Sequence, residues 1–182
     1  MKRHLPNALT LLRIGLTPAV GLSLARDDVH AALPLLAAAA LTDAADGWLA
    51  RRLGARTPLG ASLDPVADKL LAATVFVGLA ASGRLPWWLA AVVLARDLLI
   101  LAFAAWALRR TRLRAFPPSV WGKVSTVAQF SLGVACLLDA AWPGHWPAAA
   151  VRALIPAATA ATIWSGAHYG WLARRRLRQE AD

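Results

Sequence analysis

The sequence predicts an all-α fold: a polytopic membrane protein with six transmembrane helices and both termini in the cytoplasm. Three observations carry this. Apolar residues make up 58% of the chain and mean hydropathy is +0.50, whereas soluble domains sit near 45–50% apolar, roughly. Apolar stretches long enough to cross a bilayer, about 20 residues, recur from end to end. Basic residues gather in every second connection between those stretches, as cytoplasmic loops do.

The first span is expected over residues 9–25, and the mixed basic and apolar residues 1–9 before it suit a short interfacial helix. The second covers 29–52 and the third 64–82, ending before Gly83 and Pro86. The fourth covers 87–108 and is closed by Pro117-Pro118. The fifth covers 121–141, and Pro143, Gly144 and Pro147 separate it from the sixth, over 146–170. Lys2 and Arg3, then Arg51, Arg52 and Arg56, then Arg109, Arg110, Arg112 and Arg114, and finally Arg174, Arg175, Arg176 and Arg178 mark the cytoplasmic side. The opposite loops hold only Arg26 and Arg84. Tryptophans agree, with Trp87, Trp88, Trp142 and Trp146 at outer ends and Trp48, Trp106, Trp121 and Trp171 at inner ends. Residues 1–182 read as one membrane domain.

The net charge of +10 would suggest nucleic acid in a soluble chain. Placed between apolar spans, it reads instead as topology and contact with anionic lipid, with no nucleic-acid partner. A single cysteine, Cys136, excludes an intrachain disulfide framework and a zinc cluster. Arg13 interrupts the first apolar run, which argues against a cleaved signal peptide. Arginine far outnumbers lysine, present only as Lys2, Lys69 and Lys123, and alanine is in excess. That bias points to a GC-rich bacterial genome, and so to a bacterial inner membrane.

Four carboxylates carry the chemistry. Asp43 and Asp46 are three residues apart near the end of span two, and so share a helical face. Asp64 and Asp68 are four apart at the start of span three, with Pro65 placed as a first helical residue and Asp64 as its N-cap. The short connection brings the two helix ends together at the cytoplasmic edge. Each carboxylate in an apolar span costs about 2.5–3.5 kcal/mol on the insertion scale. Such a quartet therefore calls for nearby positive charge. Arg51, Arg52, Arg56 and Lys69 supply some, and divalent cations supply it more compactly. An oxygen-only donor set selects Mg2+ or Mn2+, and two ions would suit a diphosphate substrate.

From Asp43 to Asp68 the chain reads D-x2-D-G-x2-A-R-x8-G-x3-D-x3-D. This resembles the signature of the CDP-alcohol phosphotransferase family, and the segment from Pro6 to Arg13 resembles that family's opening stretch. The resemblance implies that Asp43, Asp46 and Asp64 ligate two divalent cations, with Asp68 near the second. Asp68 would be the general base that takes the acceptor's proton. Gly47, Ala50, Arg51 and Gly60 would shape the CDP pocket. It also implies CDP-diacylglycerol as donor, a homodimer, and an active site facing the cytoplasm.

The acceptor is read from later segments. Ala95-Arg96-Asp97, Trp121-Gly122-Lys123 and His168-Tyr169-Gly170 are similar to the cardiolipin synthase branch, which uses phosphatidylglycerol. The alternative acceptor is glycerol 3-phosphate, used by the phosphatidylglycerophosphate synthase branch. Either carries a phosphate, so Arg96, Lys123 and His168 are the candidate acceptor residues. Each has a simpler reading beside it: Arg96 paired with Asp97 or another acid, Lys123 snorkelling to the interface, and His168 in an interhelical contact. A divalent-ion transporter using the same acids is the alternative of another class. It fits less well because transport sites favour the bilayer midplane and repeated halves.

Overall fold

The fold, taken from a computed structural model that describes residues 5–53, 58–110, 119–145 and 148–181, is all-helical, with no strand among those residues. Six helices follow in order: α1 (Leu5–Ala25), α2 (Val29–Leu53), α3 (Pro58–Ala81), α4 (Trp87–Arg110), α5 (Val120–Ala141) and α6 (Ala148–Ala181). The basic residues Lys2, Arg3, Arg56, Arg112 and Arg114, together with Trp146, lie outside the described residues.

The α1–α2, α3–α4 and α5–α6 turns share a device. Each contains one residue at positive φ: Asp27 (59°), Gly83 (73°) and Gly144 (82°). Glycine adopts this conformation freely, and Asp is among the few other residues that tolerate it. Asp28 then starts α2, its Oδ1 accepting from the Ala31 N–H at 3.0 Å. Asp27 forms an ion pair with Arg84 of the α3–α4 turn, and His30 meets the Trp142 ring edge-on at 6.0 Å. These contacts gather the three turns at one end of an up-and-down bundle.

Arg84 holds the exposed Asp27 carboxyl below its ordinary range, first through the hydrogen bond and then through its charge. A lowered carboxyl pKa contributes stability at neutral pH that is lost as the medium is acidified through the carboxylate range. Asp27→Asn keeps a residue that tolerates positive φ. It is expected to lower the thermal midpoint slightly at pH 7 and to match the wild type at strongly acidic pH. A difference that persists in acid would locate the effect elsewhere.

α1 packs on α2 and α3, α5 packs on α6, and α4 lies against α3 and α6. The buried apolar cluster includes Val20, Leu24, Phe76, Leu79, Leu89 and Leu132. It occupies the half of the bundle that bears the turns. The other half buries polar groups instead, among them Thr10, Arg13, Arg96, Asp97, Gln129 and Ser165. α1 and α3 approach closely at Gly78, where an added Cβ would stand 2.8 Å from Leu24 Cβ. Gly78→Val is expected to destabilise the protein by about 1–3 kcal/mol through overpacking. The same change should lower activity, because it wedges apart the two helices that carry the site. Thermal unfolding in detergent with a parallel turnover assay checks both.

Three expectations are corrected. Residues 5–9 are not a separate interfacial helix but the start of α1, and residues 1–4 lie outside the described set. Asp64 is not an N-cap. α3 starts at Pro58, whose ring suits a first helical position, so Asp64 lies within the helix and Pro65 inside it. The sixth helix does not stop near Gly170 but runs 34 residues to Ala181. Its arginine-rich end is composed of good helix formers, so polarity ends the apolar face without ending the helix.

Among the described residues, two helices are long and apolar enough to cross a bilayer by length and composition, α1 over Ala8–Ala25 and α5 over Val120–Ala141.

Candidate active site

α1 supplies the feature that organises the site. Arg13 is wholly buried, and its guanidinium reaches two acids on different helices. Nη2 lies 2.6 Å from Asp43 Oδ1 on α2, and Nη1 pairs with Asp68 Oδ1 on α3. One helical turn earlier, the Thr10 hydroxyl donates to Asp64 Oδ1 at 2.7 Å. Thr10 and Arg13 share a face of α1 because they are three residues apart. Asp43, Asp64 and Asp68 are thus each tied to α1, on the half of the bundle opposite the turns. Arg13 itself is dry while Asp43 and Asp68 are 52% and 50% exposed. The cluster therefore sits on a buried cationic floor and opens outward.

Asp46, Gly47, Ala50 and Arg51 ride on α2 and Gly60 on α3. Their side-chain surroundings lie outside the described residues. Asp46 is one turn from Asp43 on the same helix, so the backbone carries it to the same end.

The acceptor candidates are spread over α4, α5 and α6. Arg96 is buried. Its Nη1 donates to Asp97 Oδ1 at 2.7 Å and its Nη2 to Ser165 Oγ at 2.5 Å. Its carbon Cζ stands 5.8 Å from the Tyr169 ring centroid. The simpler reading of Arg96, a pair with Asp97, is therefore present in the structure. Lys123 is exposed near the start of α5. That start is closed by Ser119, whose Oγ accepts from the Gly122 N–H at 3.0 Å and whose own N–H donates to Tyr169 Oη at 3.0 Å. His168 is half-buried; its Nδ1 is buried with no hydrogen-bond partner, and its ring lies 6.0 Å from Trp171.

Thr10 and Arg13 were not singled out as site residues from the sequence. A signal existed: a charged residue in an apolar span demands a partner. Arg13 enters the sequence reading as a break in the first apolar run and as the end of the Pro6–Arg13 segment, without a role at the acids. Its partner Asp68 is 55 residues away, which no local pattern reveals.

The donor chemistry fits a hard divalent cation, since the cluster offers carboxylate and hydroxyl oxygens alone. The acids are already arranged around positive charge, supplied by the Arg13 guanidinium. Among the described residues no three acidic or imidazole side chains close on a single point. Asp46, whose side chain is outside that set, would complete the quartet.

The bundle thus gathers acids from two neighbouring helices over a buried arginine. The chain belongs to the CDP-alcohol phosphatidyltransferase family, whose model matches residues 3–164. It is 37% identical over 185 residues to the CDP-diacylglycerol--glycerol-3-phosphate 3-phosphatidyltransferase of Escherichia coli K12, covering 97% of this chain and 98% of that one. It is 35% identical over 172 residues to a probable phosphatidylglycerophosphate synthase of Mycobacterium tuberculosis, covering 91% and 79%. Over 108 residues it is 37% identical to human cardiolipin synthase (CMP-forming), covering 59% and 36%.

Proposed function

We propose that this enzyme transfers the phosphatidyl group of CDP-diacylglycerol to glycerol 3-phosphate and releases CMP. The observation that carries the reading is the gathering of Asp43, Asp64 and Asp68 on Thr10 and Arg13. The acceptor is supported by the end-to-end similarity to the E. coli transferase, 97% of one chain on 98% of the other. A second reading, phosphatidylglycerol as acceptor to give cardiolipin, is favoured by the human relative, over a shorter stretch, and by the Arg96-Asp97 and His168-Tyr169-Gly170 segments.

In this reading Asp68 accepts the proton of the acceptor hydroxyl. The freed oxygen attacks the phosphorus that bears the diacylglycerol. The bond from that phosphorus to the bridging oxygen breaks, and CMP departs with the electron pair. Aspartate is a weak base for an alcohol, so the proton moves late, once the attacking oxygen has become acidic. Arg13 fixes the Asp68 carboxylate and leaves its open side to the acceptor. Arg51 holds a diphosphate oxygen through its planar fork. Gly47, Ala50 and Gly60 let the nucleotide lie close to the helices. Asp43, Asp46, Asp64 and Asp68 would hold two ions, Mg2+ or Mn2+. When bound, they supply the positive charge that offsets the diphosphate and the departing CMP.

The placement belongs to the same reading. All six helices span a bacterial inner membrane, both termini and the acidic end face the cytoplasm, and the protein is a homodimer. Charge alternation and the tryptophan belts support it.

Purified protein is to be given CDP-diacylglycerol with either glycerol 3-phosphate or phosphatidylglycerol, in Mg2+ or Mn2+ and after chelation. The expected result is CMP and phosphatidylglycerophosphate with the first acceptor, none with the second, and none without metal. Cardiolipin from phosphatidylglycerol alone would move the assignment to the second reading. Divalent-ion flux into liposomes without CMP release would sink both in favour of a transporter.

A further inference from the structure

Lys69 directly follows Asp68 on α3, yet its ammonium leaves the acidic cluster. It reaches across to α4, where Asp97 Oδ1 accepts from Lys69 Nζ at 2.7 Å. The same oxygen accepts from Arg96 Nη1 at 2.7 Å, and Arg96 continues to Ser165 of α6. The Arg96 and Asp97 side chains are each 7% exposed and that of Lys69 is 23% exposed. One nearly dry carboxylate thus carries two cations and ties three helices together. Nothing in the proposed reaction uses this carboxylate.

We propose that Asp97 is a positioning residue that holds the Lys69 ammonium away from Asp68. An ammonium deprived of its carboxylate in a largely buried setting moves to the nearest alternative anion, because a charge left there without a partner is strongly disfavoured. Asp68 is that alternative: it is adjacent in sequence, and a lysine stem is long and flexible. With Arg13 on one oxygen and Lys69 drawn to the other, an acceptor hydroxyl has to compete with the ammonium for the remaining lone pairs of Asp68. The α3 turn is accordingly gripped from two sides, by Arg13 of α1 on the catalytic acid and by Asp97 of α4 on its neighbour. This inference rests on the role proposed for Asp68.

The test compares the wild type with Asp97→Asn, Lys69→Met, the double variant and Asp97→Glu. For each, kcat, KM for CDP-diacylglycerol and the thermal midpoint in detergent are measured. Asp97→Asn is expected to lower kcat by roughly ten- to a hundredfold, the scale of a misplaced reacting group, with little change in KM. Adding Lys69→Met should restore kcat to that of Lys69→Met alone. Asp97→Glu, which keeps the carboxylate, should stay near the wild type even if the Asn variant unfolds. A merely structural Asp97 would leave the double variant as slow as Asp97→Asn or slower, and that outcome overturns the inference. So does wild-type turnover in Asp97→Asn, or loss of kcat in a stable Asp97→Glu. A wild-type protein that releases no CMP overturns the proposed reaction and this inference with it.

Discussion

Asp68→Asn is expected to cut CMP release by about 10²–10⁴-fold, the usual contribution of a positioned general base. The substitution preserves shape and leaves an amide oxygen for Arg13 to bind, but it removes the group that accepts the proton. Because the loss belongs to the chemical step, kcat should fall while KM for the donor changes little. The thermal midpoint should stay close to that of the wild type, since Asp68 is 50% exposed and its neighbours keep their contacts. Near-normal turnover in a well-folded Asp68→Asn protein would remove the base from the proposed mechanism.

Arg13→Met should damage stability and activity together. Its guanidinium is fully buried and joins α2 to α3 through Asp43 and Asp68. Removing one partner of a buried ion pair typically costs about 3–5 kcal/mol. Both acids here are about half exposed, 52% and 50%. Water can therefore take over part of the lost interaction, and roughly 2–3 kcal/mol is the expected figure. The two carboxylates would then repel across the helix interface. Added Mg2+ should raise the midpoint of Arg13→Met more than that of the wild type, because a divalent cation can replace the missing charge. Arg13→Lys should fall between the two, since a point charge cannot fork to two carboxylates. An Arg13→Met protein as stable and active as the wild type would dissociate Arg13 from the site.

These outcomes bear on how much could be read from the amino-acid order. The six helices, their sequence and the Gly83 and Gly144 turns were legible, because apolar length and turn residues are local signals. The pairing of Asp43 with Asp68's helix was also legible, through regular spacing and a short connection. The start of α3 was not. Pro65 with a preceding Asp looks like a helix beginning, while Pro58 offers the same signal seven residues earlier. The register of Thr10 and Arg13 against the acids was equally hidden, because it depends on the close α1–α3 approach at Gly78 rather than on any nearby residue. The Lys69–Asp97 bridge spans 28 residues and two helices. It became visible only when both elements were placed.

The division of the bundle into an oily half and a half held by charged contacts has a mechanical consequence. Oily contacts tolerate little gap, so the end bearing the turns behaves as a fixed hinge block. At the far end the helices are held instead by directional ion pairs and hydrogen bonds to half-exposed carboxylates, which leave room for a ligand between the helix tips. A rigid oily base below an open charged rim lets substrate reach the acids from that rim without any rearrangement of the packed half.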